Sequence, residues 1–238
     1  MALTTYEVEN SIAVLRLDRP DTRNAINTEM LEELLTHLAS AKADDEVRAL
    51  VLSSTDHMGL SAGADVREQL DSDGQVRRMQ LFADLYDELT AFPKPTVAAC
   101  HGACVGGGAE IAVACDLRVG GSNLRLRFPG AALGVPVGPA RLATLCGLSV
   151  AKYMLFTSKE VAADEALRWG LVHKVAPAPK TEAFAISLAT SCAAHPPESI
   201  AKLKQTLHEW DGVVERSKAE GEGQVEWART GPGLPYRD

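Results

Sequence analysis

Apolar runs of strand length alternate with helix-length amphipathic segments through the first half of this 238-residue chain. "SIAVLRL" (Ser11 to Leu17) alternates and ends in the turn-rich "DRPDTRN", the pattern of a half-buried strand. "TEMLEELLTHLASAKAD" places Leu31, Leu34, Leu35 and Leu38 at helical spacing behind a candidate N-cap at Thr28. "VRALVLSS" is a β-branched strand, and "GQVRRMQLFADLYDELTAF" is an amphipathic helix that stops at "PKP". "TVAAC" is a buried strand feeding a glycine loop, after which a short helix and the strand "LRVG" follow. Strand, helix, strand, helix, strand in that order requires crossover connections and places the chain in the α/β class.

From about Gly138 onward the pattern reads as helical nearly throughout, and "APAPK" (Ala176 to Lys180) reads as a linker. The expected organisation is a core over residues 1–176 with a helical C-terminal region over 177–238, too thin in apolar residues to fold separately. A net charge of −8 and an isoelectric point near 5.3 argue against a nucleic-acid surface or a basic membrane-facing helix, but not against a local basic pocket. The N-terminus lacks the basic and apolar regions of a signal peptide, and no run approaches the roughly 18 apolar residues of a membrane helix. Five scattered cysteines suit reduced thiols, and a cytoplasmic location is expected.

"HGACVGGGAEIAVACD" (His101 to Asp116) sets three consecutive glycines before an apolar run that carries one acid, Glu110. Glycines between a strand and a helix either make a tight turn or bare backbone N–H groups to a ligand, and helix starts favour negative charge. No Lys-Ser/Thr follows, so this is not a P-loop, and the spacing does not fit a dinucleotide fingerprint. "GLSAGADVREQL" (Gly59 to Leu70) is a second small-residue loop between a strand and a helix. Two such loops could each aim one N–H at a single oxygen, forming an oxyanion hole.

Taken in order, "LDRPDTRNAIN", "SAGAD", "HGACVGGGAEIAVACDLRV" and "AADEALRWGLVHKV" resemble the crotonase family of enoyl-CoA hydratases and isomerases, from about residue 6 to about residue 176. The resemblance implies a spiral of ββα units with a helical C-terminal region covering the acyl pocket, and trimers that often pair into hexamers. It implies an acyl-CoA thioester substrate, with coenzyme A as part of that substrate and no separate cofactor or metal. It assigns oxyanion-hole N–H groups to Ala64 and Gly107, an acid/base role to Glu110, and walls for the CoA nucleotide to Arg23, Asn24, Ala25 and the loop Ala62, Gly63, Ala64 and Asp65. Gly106 and Gly130 join the expected substrate contacts.

The chain also departs from the family. Hydratases carry a second glutamate after a proline, in a stretch of the kind F-x-x-P-E; here Pro129 is followed by Gly130, and between Asp116 and Asp164 the only acid is Glu160. Three readings stay open: a hydratase- or isomerase-like enzyme using Glu110 alone, a decarboxylase or hydrolase relying on the oxyanion hole, and a non-catalytic acyl-CoA-binding protein. Gly130→Glu is the substitution expected to restore the missing acid. Cys100, His101 and Cys104 lack metal-ligand spacing, and Ser61 lacks a nucleophile-elbow motif. Arg125 and Arg127 are expected to be solvated or paired, Asp65 and Asp116 to brace loops, and Trp169 to pack in the core. Trp210 and Trp227 are expected at a subunit contact or over the acyl chain, and Arg229 stands in for the basic ending that "GQVEWARTGPGLPYRD" lacks.

Overall fold

A computed structural model describes residues 2–231. Its strands come in pairs, each pair followed by a helix: β1 (Thr4–Glu9) and β2 (Ile12–Leu17) precede α1 (Thr28–Ala43), and β3 (Ala49–Ser54) and β4 (Gly59–Ser61) precede α2 (Ser72–Thr90). β5 (Thr96–Cys100) and β6 (Ala103–Val105) precede α3 (Gly107–Ala114), while β7 (Leu117–Gly121) and β8 (Arg125–Arg127) precede α4 (Pro139–Thr157). The first strand of each later pair joins a six-stranded sheet ordered β1-β2-β3-β5-β7-β10, in which β10 is Lys174–Ala176. The second strand joins a four-stranded sheet ordered β4-β6-β8-β9, closed by β9 (Glu160–Ala162). This is the spiral of ββα units.

Beyond β9 come α5 (Ala163–Arg168), α6 (Thr181–Ala193), α7 (Pro197–Asp211) and α8 (Val213–Thr230). α6 lays Ala185 and Ala189 on the outer face of the large sheet, against Val14, Val51 and Val97. With α1 to α3 on the other face, β3 is buried along its whole length, as a doubly covered parallel strand must be. α8 packs against α2, closely at Gly221, where an added Cβ would lie 2.9 Å from Ala83 Cβ.

Two local readings are corrected. Asn27, not Thr28, caps α1, its Oδ1 accepting the Met30 N–H at 3.0 Å. The stretch after Gly138 is interrupted by β9 and β10, three residues each, too short for strand periodicity to register. α7 leaves Leu203, Leu207 and Trp210 exposed on one face, Trp210 at 80%. Among the described residues no helix is long and apolar enough to cross a membrane.

Candidate active site

The two small-residue loops meet. A Cβ built on Gly63 would sit 2.8 Å from Val105 O and 3.4 Å from Gly107 N. Gly106, at φ +50° and ψ −120°, takes a backbone conformation that side chains rarely adopt. Gly107 has no room because its Cβ would meet Phe82 Cε1 at 2.9 Å, and Gly108 because its Cβ would meet Ser61 Cβ at 2.6 Å. The three glycines thus answer three separate demands: a turn, an aromatic neighbour and the facing loop. Ser61 pins that facing loop, its Oγ donating to Asn24 O at 2.6 Å and accepting from Gly63 N at 3.0 Å. Among the described residues the N–H groups of Ala64 and Gly107 have no acceptor. Both residues line a cavity of about 680 Å³.

Glu110, the fourth residue of α3, lines the same cavity and is 1% exposed. Its Oε2 accepts from Arg141 Nη2 at 3.0 Å, while Oε1 has no partner among the described residues. Burial pushes the carboxyl up to about 7; nearby Glu220 adds to the rise, against the opposing pull of Arg141. A carboxyl poised near neutrality can both take and return a proton.

Arg141 is itself buried in a network that the linear sequence conceals. Its guanidinium lies 4.9 Å from the Tyr86 ring centroid and donates to Ser217 Oγ at 2.7 Å and to Glu220 at 2.6 Å. Glu220 also accepts from Gly138 N at 3.2 Å and Ala140 N at 2.7 Å, supplying from α8 the cap that Gly138 cannot give α4. An acid therefore does stand near Glu110, reached through Arg141 from a position 110 residues further along the chain. Ser217, Glu220 and Gln224 share one face of α8, and Gln224 reaches the cavity wall.

Gly130 lines the cavity, but a side chain cannot grow from it: a Cβ there would lie 2.5 Å from Val135 O and 2.9 Å from Val137 Cγ1. The turn from Gly130 to Leu133 and the return of the chain at Val135–Val137 occupy that space, and Trp227 Nε1 ties the turn to α8 by donating to Gly134 O at 2.8 Å. The expectation that Gly130→Glu restores an acid is corrected accordingly. That variant is expected to unfold at lower denaturant than wild type and to gain no hydration activity, checked by urea unfolding beside a 2-enoyl thioester assay.

Arg23, Ala25, Ala62, Gly63, Asp65 and Gly106 all line the cavity. Asn24 does not: it is fully buried, its side chain accepting from Arg19 N at 2.7 Å and donating to Leu60 O at 3.1 Å. It shapes the loop rather than the wall. Asp65 braces its loop through Arg19 at 2.6 Å and Arg67 N at 3.0 Å; burial pushes its carboxyl up, but these bonds hold it below the usual range. Arg78 pairs with Glu68 at 3.1 Å, whereas Arg23 and Arg67 at the cavity mouth have no carboxylate partner among the described residues.

The other singled-out residues lie elsewhere. Arg125 pairs with Glu160 at 2.9 Å and Arg127 donates to Ser158 O at 2.9 Å. His101 Nε2 contacts Asp56 O at 2.8 Å, and Asp116 braces Thr96 and Lys204. Trp169 is half-buried, edge-on to Tyr153. Arg229 is exposed beside Glu226 and does not line the cavity; the end of the C-terminal stretch, from residue 232, lies outside the described residues.

The sequence model of the enoyl-CoA hydratase/isomerase family matches residues 7–224. The chain belongs to that family. The match extends past Ala176 through the helices to α8, so the helical region is part of the family pattern. Among relatives, the short-chain-enoyl-CoA hydratase of Clostridium acetobutylicum is 33% identical over 85% of this chain and 79% of its own length. The 2,3-dehydroadipyl-CoA hydratase of Escherichia coli is 32% identical over 87% and 82%. Among solved structures, an enoyl-CoA hydratase/isomerase from Xanthobacter autotrophicus superposes with a TM-score of 0.88 at 26% identity, covering 98% of this chain and 89% of that one. A probable enoyl-CoA hydratase from Mycobacterium smegmatis gives 0.85 at 28%, covering 97% and 94%.

Proposed function

We propose that this chain processes acyl-CoA thioesters as an enoyl-CoA hydratase/isomerase-type enzyme. The Ala64 and Gly107 N–H groups receive the thioester oxygen, Glu110 moves the proton, and the exposed Arg23 and Arg67 meet the phosphates of coenzyme A. One observation carries the reading: two N–H groups without acceptors among the described residues and a carboxyl near neutrality line a single cavity. An oxyanion held by two preorganised donors stabilises the enolate that forms when a proton leaves the carbon beside the thioester. α3 adds its N-terminal partial positive charge to the same oxygen.

Among the described residues that line the cavity, Glu110 is the one carboxyl on an α-helix and 1% exposed, while Asp21, Asp65 and Glu68 lie in connections between strands and α-helices. A single carboxyl is enough to lift a proton from carbon 2 of a 3-enoyl thioester and return it at carbon 4, giving the 2-enoyl product. Splitting and placing a water asks for a second group. Isomerisation is therefore the reaction for which the cavity is best equipped. Self-association goes with this reading and is supported by the apolar stripe of Leu203, Leu207 and Trp210 on α7.

The test is a panel of saturated, 2-enoyl, 3-enoyl and malonyl-type CoA thioesters, followed by liquid chromatography and mass spectrometry. The expected result is mass-neutral conversion of the 3-enoyl member. Tight binding of the panel with no conversion of any member would leave only a binding protein.

A further inference from the structure

Gln224 is 1% exposed and lines the cavity, yet its Oε1 is buried without a hydrogen-bond partner among the described residues. The orientation of its amide is fixed by chemistry. Nε2 donates to Glu220 Oε1 at 3.1 Å, and a carboxylate accepts only from a donor, so the nitrogen must face Glu220 and the oxygen is left over. Glu220 cannot swing away, since Arg141, Gly138 N and Ala140 N hold it. An acceptor buried in this way costs about 1–3 kcal/mol when nothing donates to it, a cost that a ligand donor removes.

The surroundings of Gln224 are apolar. Its neighbour Val225 packs in one cluster with Met79 and Val135, joined by Val137, and Met79, Val135 and Val137 also line the cavity. These residues make a wall suited to a hydrocarbon tail, and Gln224 with its unpartnered oxygen belongs to the same lining. We propose that Gln224 is a specificity-determining residue whose carboxamide oxygen accepts a hydrogen bond from a hydroxyl on the bound acyl group, so that hydroxylated acyl thioesters are preferred over saturated ones. The proposal rests on reading the cavity as an acyl-thioester site. No bond is made or broken in this contact.

The test measures dissociation constants of the full-length protein for CoA thioesters of equal chain length, saturated or carrying a hydroxyl at carbon 3, 4 or 5, by calorimetry. Wild type is expected to bind one hydroxylated member ~3- to 10-fold more tightly than the saturated one, the range of one net hydrogen bond. Gln224→Met, close in shape but lacking the acceptor, is expected to lose that preference while binding the saturated thioester at least as well as wild type. Equal affinity of wild type for every member overturns the proposal, as does a preference that survives in Gln224→Met. Slower 3-enoyl turnover in Gln224→Met with no wild-type preference also overturns it, in favour of a contact to water. Failure to bind any thioester overturns the acyl-CoA reading itself, so the two failures are distinguishable.

Discussion

Glu110→Gln is expected to lower turnover of the converted enoyl thioester by about 10²–10⁴-fold while leaving thioester affinity nearly unchanged. Gln fills the same volume beside Gly138, whose added Cβ would come within 2.6 Å of Glu110 Oε1, so the wall keeps its shape while the titratable group is lost. The pH dependence separates a proton carrier from a mere wall residue. Only the ionised carboxyl can take a proton, and its midpoint lies at about 7, so wild-type turnover is expected to rise with pH through that value. The residual activity of Glu110→Gln lacks this limb. Stability moves the other way. The folded value exceeds the ordinary 4.5, so the native state binds the proton more tightly between these two values and wild-type stability falls as pH rises through the window. Glu110→Gln is spared this fall. Thermal melts of both proteins at pH 5 and pH 8 check the sign, and parallel losses in the two would show that Glu110 does not titrate there.

Arg141→Met is expected to be the most damaging single change to stability. It leaves Glu110 and Glu220, both nearly fully buried, facing each other without their shared cation. Removing one member of a buried ion pair typically costs about 3–5 kcal/mol, a large part of the ~5–15 kcal/mol that holds a domain folded. The loss should shrink at acid pH, where the Glu110 carboxyl takes up its proton and the repulsion ends. Adding Glu220→Gln to Arg141→Met is expected to recover part of the loss at neutral pH, because one stranded charge is gone. Urea unfolding of the two single variants and the double variant gives the coupling directly. Additive losses would mean that Arg141 and Glu220 do not act as a pair.

The glycine at position 130 also has a physical reason that composition could not supply. No side chain has room at Gly130, because Val135 and Val137 lie over the position and fill the space one would need. Val135 and Val137 give the cavity an apolar wall there, and α8 adds Gln224 to the lining.

What the amino-acid order determined by itself is the local part of this design. The alternation from Ser11 to Cys100 sets the α/β class, because strand and helix periods are properties of neighbouring residues. The glycine loops and Glu110 are equally local, each needing only a strand, a turn and the first residues of a helix. The tertiary structure decided the rest. α8 buries Ser217, Gly221 and Gln224, with Val225 the one large apolar residue among those it buries, which leaves no hydrophobic stripe to read. Ser217 and Glu220 reach the site through Arg141, 76 and 79 residues away in the chain, and Gln224 reaches it through the cavity wall. A buried charge needs its partners within hydrogen-bond reach in space, and no spacing along the chain encodes that distance.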